Sequence, residues 1–284
     1  MKKIAVLGSG LLGGSISLAT QKRLPNTCVT LWGRREKAIT EARECGITEA
    51  TIDLADAVTG ADLIILTSPV GAMLEIIQSA ANQVSLEGVM VTDVGSVKQT
   101  PRDTLKEAIH DAKAQFIGSH PMAGSEQAGV GAAQEDLFDG AACVMTNDFD
   151  CSESDVAALR SFWEALGCHC HLMSAEEHDS VMARISHLPH MLASVGALVG
   201  LKNSDDGEFA GNGMRDTTRV ASGHAAMWAE ILMRNNSALK KPIEETITHL
   251  REMLFMLENE DEKGIKDLLQ DAKDLRDDLT ARIN

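Results

Sequence analysis

The chain has few basic side chains, no long uncharged apolar run and no pattern of paired cysteines. Lysine and arginine number 26 against 42 aspartates and glutamates, which gives a formal net charge of −16 over 284 residues. A surface this acidic repels the phosphates of nucleic acid and of anionic membranes, so neither is expected as a partner. A small anionic substrate that is held by a few local arginines remains compatible with this charge.

The longest nearly uncharged run also excludes a membrane span. It covers residues 188–201, contains His190 and is shorter than the roughly 20 residues that cross a bilayer. The six cysteines show no framework typical of disulfide-rich secreted proteins, which favours a reducing cytoplasm. Hydrophobic residues make up 44% and charged residues 24% of the chain, a balance typical of globular proteins with a sizeable core.

The first part of the chain alternates short apolar runs with segments of helical apolar spacing. The predicted strands cover residues 3–7, 28–32, 63–67, 89–93, 115–117, 141–145 and 169–172. This alternation predicts βαβ units and a mostly parallel, doubly wound sheet of the Rossmann type. We therefore expect an α/β dinucleotide-binding domain over residues 1–172.

The second part of the chain carries helical patterns only. Ser174, followed by Glu176 and Glu177, predicts a helix start, and this helix is expected to run toward Leu201 with a bend at Pro189. Further helices are predicted at about 212–222, 225–236, 238–258 and 262–282. The last of them has one apolar stripe, which fits either an intramolecular core or an intersubunit bundle. We expect an all-helical domain over residues 173–284.

Three glycines follow the first predicted strand with the spacing G-x-G-x-x-G. Gly8 permits a tight turn, Gly10 lets the backbone approach a pyrophosphate, and Gly13 allows close packing of helix and strand. The N–H groups at the helix start then face the phosphates. The motif predicts a dinucleotide site whose cofactor contacts are Gly8, Ser9, Gly10, Leu11, Leu12 and Gly13.

The residues after the second predicted strand indicate which dinucleotide is bound. Arg34 and Arg35 stand where an acidic residue would hold the ribose hydroxyls of NAD. Two guanidiniums favour a 2′-phosphate, so NADP is the preferred cofactor, with NAD possible and with solvated arginines as the alternative. After the strand at 63–67, Ser68 and Pro69 are expected to line the nicotinamide ribose region.

Two more polar segments follow predicted strands at the same edge of the sheet. They read DVGSVK at residues 93–98 and GSHPMAGSE at residues 118–126, and both are predicted to be loops over the nicotinamide position. A dehydrogenase that oxidises an alcohol needs an acceptor for the hydroxyl proton. Histidine suits this role because its ordinary pKa lies near neutrality, so His120 is the predicted acceptor.

Taken together, these motifs resemble those of one enzyme family. GSGLLGGS, DVGSVK and GSHPMAGSE are followed by HD at 178–179, ISHLPH at 185–190 and MRDTTR at 214–219. In this order the chain resembles the prephenate/arogenate (cyclohexadienyl) dehydrogenase family of tyrosine biosynthesis. The resemblance implies oxidative decarboxylation of prephenate or arogenate with hydride transfer to NAD(P), no metal, and a homodimer formed through the C-terminal helices.

The resemblance also assigns roles to single residues. It implies that His120 accepts the proton of the substrate hydroxyl and that Ser96 supports the same hydroxyl. It implies that Arg219 pairs with a substrate carboxylate through its bidentate fork. The other implied substrate-binding residues are Arg215 and Asp216, which orient Arg219, His190 and Trp228 in the pocket, and Glu126 as a gate near the substrate side chain.

Two further features of the sequence concern a structural pair of residues and an apparent metal site. The resemblance implies that His178 and Asp179 hold the interdomain helix to the active-site loop. The run from Cys168 to His171 resembles a metal site, but alternate residues of a strand point to opposite faces and cannot converge on one ion.

Two other functions share the predicted fold. A β-hydroxyacid dehydrogenase would place a lysine base on the interdomain helix, whereas residues 174–201 contain no lysine. A non-catalytic NADP(H)-sensing protein would keep the glycine motif without needing Ser96, His120 and Arg219 together.

Overall fold

The larger of two compact units is built around a parallel β-sheet. The computed structural model describes residues 1–124 and 127–283, and the chain forms the units Met1–Asn235 and Asn236–Asn284. The sheet contains β1 Lys3–Leu7, β2 Cys28–Trp32, β3 Ala50–Thr51, β4 Leu63–Leu66, β5 Met90–Asp93 and β6 Gln115–Phe116. Its order is β3-β2-β1-β4-β5-β6, with every pair parallel. This confirms the predicted doubly wound sheet, whose order reverses between β1 and β4, where such sheets bind ligands.

Apolar side chains on both faces of this sheet explain why its strands are uniformly hydrophobic. Ile4 and Val6 belong to one buried cluster, and Ala5 and Leu7 to another, because successive side chains of a strand point to opposite faces. The accompanying helices are α1 Leu11–Arg23, α2 Glu36–Glu44, α3 Leu54–Val58, α4 Met73–Ala81 and α5 Gln99–Asp111. β3 was not predicted, since two residues are too few to form a recognisable apolar run.

A second, three-stranded sheet carries the segment of His120. Its strands are β7 Gly118–Pro121, β8 Ala142–Thr146 and β9 His169–Leu172, with helix α6 Glu153–Ala165 between the last two. β7 pairs antiparallel with β8, and β8 pairs parallel with β9. The prediction of a loop at 118–121 was therefore wrong. Gly118 pairs with Thr146 in this second sheet. The two residues are so close that a Cβ at Gly118 would lie only 2.5 Å from Thr146 Oγ1.

A long helical segment begins at Ser174 as predicted. The Ser174 hydroxyl accepts a hydrogen bond from the Glu177 N–H, and the Glu177 carboxylate accepts one from the Ser174 backbone. Helix α7 Ala175–Met182 continues through a π-helical turn, Ala183–His187, into α8 Leu188–Gly200. The π-helical turn lies just before Pro189, where we predicted a bend, and proline has no N–H with which to continue regular helical bonding.

The remaining described elements are helical, which confirms the predicted class of this region. Unit Met1–Asn235 ends with α9 Asn212–Thr218, a 3₁₀ turn Arg219–Ser222 and α10 Ala225–Arg234. Unit Asn236–Asn284 consists of α11 Asn236–Glu258 and α12 Glu262–Ile283, which pack against each other. None of the helices in residues 1–124 and 127–283 combines the length and apolar character that crossing a membrane requires.

Candidate active site

The glycine motif forms an open turn between β1 and α1. Gly8 adopts a φ of 146°, a conformation that favours glycine, and a Cβ there would lie 2.6 Å from Thr67 Oγ1. A Cβ on Gly13 would overlap the Gly8 carbonyl oxygen, whereas nothing lies within 4 Å of the Cβ position of Gly10. The backbone at Gly10 is therefore accessible to a ligand, and the turn fits a dinucleotide pyrophosphate.

The ends of β1 and β4 are joined beside this turn. The Thr67 hydroxyl donates a hydrogen bond of 2.8 Å to the Gly8 carbonyl oxygen. The Ser68 hydroxyl oxygen is buried and has no hydrogen-bond partner among the described residues, whereas Pro69 is exposed. Ser68 thus offers a polar group at the switch point of the sheet, where we predicted a cofactor contact.

The end of β2 places two arginines near the same turn. Arg34 and Arg35 are exposed, and neither forms an ion pair within residues 1–124 and 127–283. Gly33 packs so closely on Ser9 that a Cβ would overlap the Ser9 hydroxyl. Ser9 itself and the other predicted contacts, Leu11 and Leu12, are half-buried. The two guanidiniums therefore stand in solvent just after a strand end that touches the glycine turn.

His120 lies at the head of a buried chain of hydrogen bonds. Its Nδ1 atom is 2.8 Å from Nε2 of His178, and His178 Nδ1 is 2.8 Å from Oδ1 of Asp179. Only 8% of His120 is exposed, while His178 and Asp179 are fully buried. We call His120, His178 and Asp179 the histidine relay.

The histidine relay fixes which nitrogen of each ring carries a proton. An ionised Asp179 can only accept, so Nδ1 of His178 donates to it and the neutral ring keeps a lone pair on Nε2. Nδ1 of His120 then donates to that lone pair. The result is a neutral His120 whose Nε2 atom is a base, the protonation state that a proton acceptor requires.

Burial keeps the relay in this state. Burial holds the pKa of His120 well below its usual range, and the positive charge of Lys98 acts in the same direction, as a proton on His178 or His187 would. Burial also lowers the pKa of His178, although the hydrogen bond to Asp179 favours its charged form. Burial alone would raise the pKa of Asp179, but the hydrogen bonds that it accepts lower this pKa instead. Both histidines are therefore neutral at neutral pH.

The relay is anchored to the turn that carries Ser96. The Asp179 carboxylate accepts hydrogen bonds from the backbone N–H groups of Lys98, at 2.7 Å, and of Gln99, at 3.0 Å. Ser96 is half-buried on the same turn, between β5 and α5. α7, which supplies His178 and Asp179, is thus tied to the Ser96 turn through backbone contacts.

A buried ion pair that was not predicted from the sequence lies beside the relay. The ammonium group of Lys98 contacts Oδ2 of Asp93, and both side chains are completely buried. The Gly95 N–H donates to the same carboxylate oxygen at 2.8 Å. The DVGSVK motif contained both residues, but a lysine near a helix start gives no sign in sequence that its charge is buried.

A pair of stacked rings lies on α8 and α10. The rings of His190 and Trp228 are stacked with centroids 3.6 Å apart and an angle of 9° between their planes. Burial lowers the pKa of His190, and its Nδ1 atom is buried with no hydrogen-bond partner among the described residues. His190 and Trp228, which the resemblance implied as pocket residues, are therefore in direct contact.

The other predicted substrate residues lie on neighbouring helical segments. Arg215 and Asp216 are exposed on α9, and Arg219 is exposed on the 3₁₀ turn that packs against α8. α9 and this 3₁₀ turn both contact α8, the helix that carries His190. Glu126 lies outside the described residues.

No metal centre accompanies these residues in the part of the chain that the structure describes. No three histidine, cysteine or acidic side chains within residues 1–124 and 127–283 are grouped so that they could hold an ion. The run from Cys168 to His171 lies largely in the extended strand β9.

Comparisons with known proteins agree on one family. The family models for the prephenate dehydrogenase nucleotide-binding domain and dimerization domain match residues 16–172 and 174–271, respectively. The chain is 33% identical to the prephenate dehydrogenase of Lactococcus lactis over 97% of its own length and 77% of the relative's.

Two solved structures are similar over nearly their whole length. The prephenate dehydrogenase of A. aeolicus, solved with hydroxyphenyl propionate and NAD⁺, has a TM-score of 0.87 and 28% identity, with 98% of each chain covered. The Synechocystis arogenate dehydrogenase has a TM-score of 0.78 and 31% identity, with 97% of this chain and 99% of that chain covered. The chain therefore belongs to the prephenate dehydrogenase family.

Proposed function

We propose that this chain oxidises and decarboxylates prephenate or arogenate, with hydride transfer to a nicotinamide cofactor. The observation that carries the proposal is the neutral, buried His120, whose Nε2 lone pair is fixed by His178 and Asp179. Its strand β7 contacts β5, so the base lies next to the sheet edge that carries the cofactor turn. The products are 4-hydroxyphenylpyruvate from prephenate and tyrosine from arogenate.

The chain's own residues act on the substrate hydroxyl, and the decarboxylation then follows from the chemistry of the ring. As the carbon that bears the substrate hydroxyl loses hydride, Nε2 of His120 takes the hydroxyl proton, and Ser96 orients the same hydroxyl. The resulting dienone loses its ring carboxylate as carbon dioxide, because this loss makes the ring aromatic. The reaction needs no metal, since aromatisation supplies the driving force.

The remaining site residues hold the two reactants. Arg219 pairs with a substrate carboxylate, Arg215 and Asp216 orient it, and the His190–Trp228 stack forms an aromatic wall of the pocket. Gly10 and its neighbours hold the cofactor pyrophosphate, with Ser68 and Pro69 at the nicotinamide ribose. When bound, the nicotinamide supplies the hydride acceptor.

We further propose that NADP is the preferred cofactor. Arg34 and Arg35 lie directly after β2, are exposed and form no ion pair among the described residues. Two such guanidiniums suit the 2′-phosphate of the adenosine ribose. Initial rates of nicotinamide reduction with prephenate and arogenate, each offered with NAD and NADP, test this preference and the reaction together. We expect turnover with at least one substrate and a higher kcat/KM with NADP.

Replacing Arg34 and Arg35 tests whether these arginines cause the preference for NADP over NAD. The variant with Arg34→Ala and Arg35→Ala should lose on the order of a hundredfold in kcat/KM for NADP, because charged hydrogen bonds to the phosphate are gone. Its kcat/KM for NAD should change little. Lys37→Ala on α2, an exposed charge with a surface partner in Glu41, is the matched control. Equal losses with both cofactors would contradict the proposed phosphate contact.

The helical region is proposed to form a homodimer and to complete the substrate site. The family model that matches residues 174–271 describes a dimerization domain. Unit Asn236–Asn284 exposes large apolar side chains on both of its helices: Leu250, Leu254, Phe255 and Leu257 on α11, and Leu269, Leu275 and Leu279 on α12. Such surfaces are typical of faces that a second subunit covers. In this proposal residues 1–172 bind the cofactor and residues 173–284 bind substrate and the second subunit.

A further inference from the structure

Helix α10, which carries Trp228, is held in place by specific side-chain contacts rather than by a packed core. None of its residues, 225–234, is buried. On one side of the helix, the Trp228 ring stacks on His190 of α8. Glu230 lies on the opposite side, since two residues turn an α-helix by about 200°. α10 therefore contacts different parts of the molecule through its two faces.

The carboxylate of Glu230 binds the turn that follows β4. Its Oε1 atom accepts a hydrogen bond of 2.7 Å from the backbone N–H of Gly71. Gly71 lies in a 3₁₀ turn, Val70–Ala72, that leads from the end of β4 into α4. An N–H at the start of a helical segment lacks a partner within that segment, and a carboxylate is a favourable acceptor there. Because the two residues are 159 positions apart, this hydrogen bond connects the α/β region with the helical region.

The glycine at position 71 leaves room for this carboxylate. A Cβ there would lie 3.0 Å from Oε1 of Glu230 and 2.9 Å from Nη2 of Arg234. Arg234 lies one turn further along α10, and its Nε atom is 3.9 Å from the same Oε1 atom. The backbone angles of a 3₁₀ turn are open to alanine. An alanine at position 71 would therefore keep the turn but displace the carboxylate from the N–H.

We propose that Glu230 is a positioning residue that fixes the cofactor relative to the substrate. It joins two parts of the proposed site: residues 68–71, which we call the ribose turn because they begin at the proposed nicotinamide ribose contacts, and α10, which carries one ring of the aromatic wall. Hydride transfer requires the two reactants to be aligned, and a displacement of about 1 Å can slow such a step greatly. This inference rests on the proposed function, in which the ribose turn binds cofactor and the aromatic wall binds substrate.

Two substitutions of Glu230 differ in whether a hydrogen-bond acceptor remains. Glu230→Ala removes the acceptor and should lower kcat about tenfold, because the ribose turn and α10 can then shift relative to each other. Glu230→Gln keeps an oxygen that can accept from the Gly71 N–H, so its kcat should lie within about threefold of the wild type. The KM for substrate and the Kd for cofactor, the latter from titration of tryptophan fluorescence, should change by less than about threefold in both variants.

Gly71→Ala tests the same contact from its other side. The added methyl group displaces the carboxylate, so kcat should again fall about tenfold. In the Glu230→Ala background the methyl group has room, and adding Gly71→Ala should lower kcat little further. Gly71→Ala also serves as the second variant if Glu230→Ala does not fold. Glu75→Ala, which removes an exposed glutamate from the first turn of α4, is the matched control and should keep the wild-type kcat.

The outcomes distinguish this inference from the proposed function on which it rests. Unchanged kcat in Glu230→Ala, an equal loss in Glu230→Gln, or losses from Glu230→Ala and Gly71→Ala that multiply in the double variant would overturn the positioning role. Loss of turnover in His120→Asn together with unchanged kcat in Glu230→Ala would overturn this inference alone. If turnover survives in His120→Asn while Glu230→Ala and Gly71→Ala show the expected coupled losses, the proposed proton acceptor is wrong and the positioning role stands.

Discussion

Replacing His120 with asparagine should lower kcat by on the order of a thousandfold while leaving cofactor affinity nearly intact. The asparagine amide nitrogen lies where Nδ1 was and can still donate to His178 Nε2, so the relay and strand β7 keep their contacts. No basic nitrogen remains at the position of Nε2, so the hydroxyl proton has no acceptor. kcat is measured by nicotinamide reduction, and cofactor affinity by fluorescence titration.

The exposed His110 on α5 gives the control for this substitution. His110→Asn makes the same chemical change far from the relay and should keep the wild-type rate. Retention of most of the rate in His120→Asn would show that another group accepts the proton.

The lowered pKa of His120 adds an expectation for the pH dependence of the wild type. The base form of the ring persists below the ordinary histidine pKa of about 6.5, since burial disfavours the charged ring. kcat/KM should therefore decline only at more acidic pH, as Nε2 becomes protonated. The decline should be absent from the residual activity of His120→Asn.

Replacing Lys98 with methionine should destabilise the protein by about 3–5 kcal/mol. Lys98 and Asp93 are both completely buried, and the substitution leaves a buried carboxylate whose one remaining described hydrogen bond comes from the Gly95 N–H. Methionine fills most of the volume of the lysine stem, so the loss reflects charge rather than a cavity. The free energy of unfolding is measured by urea denaturation.

A second substitution tests the physical reason for this loss. Adding Asp93→Asn to Lys98→Met removes the uncompensated charge and should restore much of the lost free energy of unfolding. Lys106→Met on the exposed face of α5 is the matched control and should change the free energy of unfolding by less than about 0.5 kcal/mol. A value for Lys98→Met within about 1 kcal/mol of the wild type would contradict a charged buried pair.

Local sequence patterns predicted the parts of this fold that depend on neighbouring residues. The glycine turn, the cap at Ser174 and the apolar strands of the large sheet each result from interactions within a few residues. The sequence of β7 predicts a loop because its pairing with β8 depends on residues more than 20 positions away. The two-residue β3 depends in the same way on β2, its neighbour in the sheet.

The polar interior of the site could not be predicted for a related reason. His178 is 58 positions from His120, so only the fold brings these side chains together. The resemblance named His120 and Ser96, and it gave no indication that Lys98 is buried. The role of Lys98 depends on burial, which sequence spacing does not report for single polar residues.

The stoichiometry of the wild-type reaction tests the central claim most directly. Prephenate or arogenate, labelled in the ring carboxylate, is incubated with the preferred cofactor, and reduced nicotinamide and released carbon dioxide are measured in the same sample. The account predicts one carbon dioxide for each nicotinamide reduced, together with an aromatic product. Nicotinamide reduction without carbon dioxide release, or cofactor binding without nicotinamide reduction by either substrate, would contradict it.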